Sequence, residues 1–86
     1  MRVGVQFTGT VQGNESHRWF TFNWPADWDM TWMVVPTTVR SGAPEIDWDV
    51  AVERASPTTV TYWITIRNLT SSPVDIESRY VIYNAN

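Results

Sequence analysis

Apolar and polar residues alternate along almost the whole chain, and the breaks in that rhythm fall at Gly, Pro, Asn and Ser, the residues that turn a backbone. A period of two is the mark of strands with one buried face, and it predicts six of them. The first, over 3–12, sets Val3, Val5, Phe7 and Val11 inward and Gln6, Thr8 and Thr10 outward, with Gly9 as a candidate bulge before the turn Gln12-Gly13-Asn14-Glu15. The second, 17–23, aligns Phe20, Phe22 and then Trp24 inward and His17, Trp19, Thr21 and Asn23 outward until Pro25 stops it. The third, 30–35, is apolar on both faces, the pattern of a strand buried on two sides.

A long irregular loop over 36–44 follows, punctuated by Pro36, Gly42 and Pro44. The fourth strand, 45–54, turns Ile46, Trp48, Val50 and Val52 inward and Asp47, Asp49, Ala51 and Glu53 outward. The fifth, 59–68, buries Val60, Tyr62, Ile64 and Ile66 and shows Thr61, Trp63, Thr65 and Arg67. In the sixth, 74–83, Val74, Ile76, Tyr80 and Ile82 oppose Asp75, Glu77, Arg79, Val81 and Tyr83. Six short, regularly spaced strands and no helical segment for a parallel crossover predict an all-β fold, a small antiparallel sandwich or barrel.

Composition agrees with that pattern. Eleven Val and eleven Thr stand against one Leu, and β-branched side chains suit a pleated sheet. The 86 residues are read as one domain, 1–86, too short for a second hydrophobic core. Without cysteine there is neither a disulfide framework nor a thiolate metal site. The net charge is −3, Lys is absent, and the six arginines are scattered, so the cationic footprint of a nucleic-acid binder is missing. No stretch approaches the roughly 20 apolar residues of a membrane span, and the first residues lack the apolar core of a signal peptide. A soluble chain is expected.

Candidate chemistry is thin for an enzyme. His17 is the one histidine, and its neighbour Ser16 cannot make a triad with it, because a triad needs groups converging from separate elements. One His and no Cys exclude the usual zinc ligand sets. The tripeptide Asp-Trp-Asp occurs at 27–29 and at 47–49. In an extended backbone each pair spaces two carboxylates about 7 Å apart, which could hold a hard cation such as calcium or accept hydroxyl hydrogen bonds. The same residues also make an ordinary solvent face around a buried Trp. A glycosidase needs a cleft between its carboxyls, for which a domain this small has little depth. The sequons at Asn14 and Asn68 lie at turns, where Asn is favoured for backbone reasons.

The tryptophans carry the functional expectation. Trp24 and Trp48 fall inward, whereas Trp19 and Trp63 fall on the polar side and Trp28 in a loop with Asp27 and Asp29. Flat indoles flanked by carboxylate, Asn and Arg suit sugars, whose rings stack on the indole while their hydroxyls bond to polar neighbours. In architecture and composition the chain resembles small β-sandwich lectins and carbohydrate-binding modules, without a family motif. A non-catalytic, cofactor-free module is therefore expected to bind a glycan through Trp19, Asn23, Asp27, Trp28, Asp29, Trp63 and Arg67. Apolar residues on outer faces (Met33, Val35, Trp63, Val81, Tyr83) further point to a homo-oligomer, a dimer or trimer. The competing expectation is a structural domain of a larger assembly, its surface aromatics packed against other subunits.

Overall fold

A computed structural model of the chain describes residues 1–85, and among these there is no helix. Seven strands form: β1 (Arg2–Val11), β2 (Ser16–Phe20), β3 (Trp24–Pro25), β4 (Met30–Pro36), β5 (Ile46–Glu53), β6 (Thr59–Asn68) and β7 (Val74–Ile82). They pair antiparallel in two sheets. One sheet has the order β1-β7-β4; the other is built on β6, with β5 along one side and β2 and β3 along the opposite side. The sheets are packed face to face and left open, so the sandwich is the form the chain takes.

The inner faces meet over Val11, Trp32, Val34, Ile64, Ile66, Val74 and Ile76, all buried, with Phe7, Trp19, Trp24, Trp48, Tyr62 and Tyr80 packed around them. Branched aliphatics from both sheets fill the middle, and the aromatics close the ends. Asn68 pins one corner. Its buried side chain donates from Nδ2 to the carbonyls of Val11 (2.9 Å) and Ser72 (2.7 Å), while its Oδ1 accepts from the Thr70 amide (2.8 Å). The Asn of this sequon is thus consumed as a turn-forming residue.

Five inward assignments made from alternation are corrected by the structure. Val3 and Val5 point outward, 66% and 50% exposed, because the β1–β7 register slips by one residue between Val5 and Phe7. Gln6 is the extra residue, so the bulge lies there and not at Gly9. Gly9 instead leaves room for Trp19, whose Cζ2 would stand 2.8 Å from an added Cβ. The second segment is inverted as well: Thr21 is 3% exposed and Trp19 packs against the core, whereas Phe20 and Phe22 are 58% and 68% exposed.

The cause of that inversion is another slip. Phe20 faces Trp63 but Trp24 faces Val60, so β2 and β3 are one strand interrupted by an extra residue at Phe22–Asn23. Counting back from Trp24 in steps of two crosses the break and lands on the wrong face. Val52, at the far end of β5, is exposed rather than inward. β4 is an edge strand; its Trp32 and Val34 are buried, but Met33 is 48% exposed, so only one of its faces is covered within the chain.

Candidate functional site

Both slips fall at the same end of the sandwich, one in each sheet, and between them lies a cleft of about 280 Å³. Its floor and walls are aromatic: Phe22, Trp24, Trp28 and Tyr80. Trp24 is the hub, with ring centroids 5.2 Å from Trp32, 5.3 Å from Tyr80 and 5.5 Å from Trp28, the last at an edge-to-face angle of 85°. Tyr80 reaches this place because Gly4 opposes it in the ladder. A Cβ on Gly4 would stand 2.5 Å from the Tyr80 hydroxyl, so no larger residue fits while the ring stays.

Three polar side chains also line the cleft: Arg2, Gln6 and Asn23. Gln6 is the bulged residue of β1, and a bulge turns two successive side chains toward one side of a sheet. Asn23 sits in the left-handed region at φ 61°, which Asn tolerates better than most residues. Local irregularities of this kind concentrate where a chain re-aims a side chain for a purpose. All three are exposed and none makes a side-chain hydrogen bond among the described residues.

Trp28 is held from outside the sheets. The Asn84 side chain accepts from the Asp29 amide (2.9 Å) and donates to the Asp27 carbonyl (2.8 Å), and the Tyr83 amide donates to the Asp29 carbonyl (2.8 Å). The Trp28 amide closes the turn onto the Pro25 carbonyl (3.2 Å). Thus the loop that presents the indole is tied down at both of its aspartates by backbone bonds, while their carboxylates remain exposed outside the cleft lining.

The seven residues expected at a site separate into three places. Asn23 and Trp28 line the cleft, with Asp27 and Asp29 in the supporting loop. Trp63 and Arg67 lie on the outer face of the β6 sheet. There Phe20 stacks on Trp63 at 5.1 Å, the Arg18 guanidinium sits 4.9 Å from its centroid, and its Nε1 donates to Glu53 (2.9 Å), so the indole is enclosed by its neighbours. Arg67 bridges Asp47 and Asp49, bonding Asp49 Oδ2 at 2.9 Å and Asp47 Oδ1 more closely. The Asp49 and then the Asp47 hydrogen bonds push the pKa of this guanidinium above its ordinary value. The second Asp-Trp-Asp pair therefore binds an arginine of its own chain where a hard cation was considered. Trp19 is a packing residue, stacked between His17 (4.0 Å) and Phe7 (4.9 Å).

Alternation alone missed Arg2, Gln6, Phe22 and Tyr80. The available signal was Asn23 ahead of Trp24-Pro25, a residue that tolerates positive φ placed where a strand must stop. Gln6 carried none. No family model matches the chain, and no curated protein and no solved structure matches it either.

Proposed function

We propose that the chain is a non-catalytic binding module that takes a saccharide ring in the cleft between its two bulges. One observation carries the reading: Arg2, Gln6 and Asn23, whose side chains are unbonded within the described residues, line one cleft with Phe22, Trp28 and Tyr80. A pyranose has an apolar C–H face and an equatorial rim of hydroxyls. Aromatic rings serve the first and amide groups the second.

The test is tryptophan fluorescence titrated with a panel of mono- and oligosaccharides. Trp28→Ala is expected to weaken binding at least about tenfold, a loss of 1 to 2 kcal/mol from one aromatic contact, with the melting temperature within a few degrees of wild type. Saturable binding that survives Trp28→Ala unchanged would place the ligand elsewhere and end this reading.

A second reading, a structural or oligomerising domain, is favoured by a different surface. On the outer face of the β1-β7-β4 sheet, Val3, Val5, Met33, Val81 and Tyr83 line an apolar trough of about 320 Å³. The two readings are compatible, since a homo-oligomer multiplies weak sugar sites.

A further inference from the structure

Five of the six arginines are engaged within the fold. The Arg18 guanidinium sits over Trp63. Arg40 donates to the carbonyls of Ser72 and Pro73, and Arg54 to those of Ser56 and Pro57. Arg67 bridges Asp47 and Asp49, and Arg79 bonds Glu77. Arg2 alone has no such partner among the described residues, and it is the one charged side chain lining the cleft. In a chain of net charge −3, the cleft is thus locally cationic, with no carboxylate among its lining residues.

From this we infer that the ligand is an acidic sugar, a pyranose bearing a carboxylate, and that Arg2 selects it. This inference rests on the saccharide reading above. A guanidinium offers parallel N–H donors that match a carboxylate's two oxygens, and the charge-assisted pair is stronger than an amide–hydroxyl bond. The division of labour is then complete. Phe22, Trp28 and Tyr80 take the C–H face, the amides of Gln6 and Asn23 take hydroxyls, and Arg2 takes the carboxylate. A neutral ring in the same pose would leave the guanidinium facing water, with nothing to favour that ligand.

Calorimetric titration with two oligosaccharides of equal length and linkage, one built of glucuronic acid and one of glucose, tests the assignment. Wild type is expected to bind the acidic one at least about tenfold more tightly in low salt. Arg2→Gln should abolish that preference, the acidic sugar losing affinity by at least about tenfold more than the neutral one, and Arg2→Lys, which keeps the charge but not the fork, should fall between. Raising the salt should narrow the gap, because the pair lies near solvent. Equal binding of both sugars by wild type, or an equal loss of both in Arg2→Gln, overturns the role of Arg2 and leaves the saccharide reading standing. Binding of neither sugar overturns both.

Discussion

Tyr62 shows how a single side chain links core packing to solution behaviour. Its ring stands edge-on to Trp32 at 5.6 Å and to Trp24 at 6.4 Å, beneath the cleft floor, and burial pushes its phenol above the ordinary value. In the unfolded chain the phenol ionises near pH 10, whereas the folded chain holds the proton to higher pH. The unfolded state therefore loses its proton first. Stability that is intact below about pH 10 falls as the pH rises through the folded value. Tyr62→Phe removes this titration. Thermal melts are expected to give similar stability for wild type and variant at pH 7, and a shallower decline for the variant between pH 10 and 11. A decline of the same slope in both would show that Tyr62 does not carry the alkaline loss.

At the scale of elements, the two bulges decide the architecture of the site, and they also mark where alternation stops being readable. β5, β6 and β7 run without a slip against their partners over their paired lengths beyond the bulges, and there the period of two names most inward residues correctly: Ile46, Trp48 and Val50 but not Val52, then Val60, Tyr62, Ile64 and Ile66 though Thr61 is buried as well, then Val74, Ile76, Tyr80 and Ile82. In β1 and in the β2–β3 strand one extra residue reverses the phase. The misplaced residues in those segments (Val3, Val5, Trp19, Phe20, Thr21, Phe22) lie at or across a bulge from the residue that anchored their assignment. A bulge is settled by pairing with a distant strand, and apart from Asn23 the local sequence holds no record of either. The cleft was legible only through Trp28 and Asn23 for the same reason.

The bulge in β1 has a consequence that separates it from an ordinary strand position. Deleting a residue from a regular ladder turns everything on one side of it to the wrong face. Gln6 is already surplus to the ladder. Its removal rejoins Val5 to Phe7 with Val5 still outward, Gly4 still opposite Tyr80 and Phe7 still inward. The deletion of Gln6 is expected to leave the melting temperature within a few degrees of wild type while weakening saccharide binding severalfold. Deletion of Thr8, two residues along the same strand, must instead misplace either Phe7 or Val11. It is expected to cost about 3 kcal/mol or more, on the scale of a lost core side chain. Chemical denaturation of the two deletions reads the difference directly. Equal destabilisation would mean that Gln6 belongs to the ladder.

For the molecule as a whole, the question is what meets the outer face of the β1-β7-β4 sheet. The slip at Gln6 delivers Val3 and Val5 to that face, beside Val81 of β7 and across from Met33 of the edge strand β4, with Tyr83 bonded to Thr31 at 3.0 Å beyond them. Arg79 lies in the row between Val5 and Met33, and its guanidinium is turned to Glu77. Association through this face, proposed above from its apolar character, requires that it stay apolar, whereas folding of one chain does not. Val5→Glu separates the two requirements. The new carboxylate would stand beside Arg79, where an isolated chain accommodates it at little cost, yet a second apolar surface could cover it only by stripping its water. Light scattering at tens of micromolar is expected to give wild type two or three times the 9.9 kDa of one chain, and Val5→Glu a single chain with an unchanged melting profile at low concentration. A wild-type mass of one chain would show that this face carries no association, and the sugar site would then act alone.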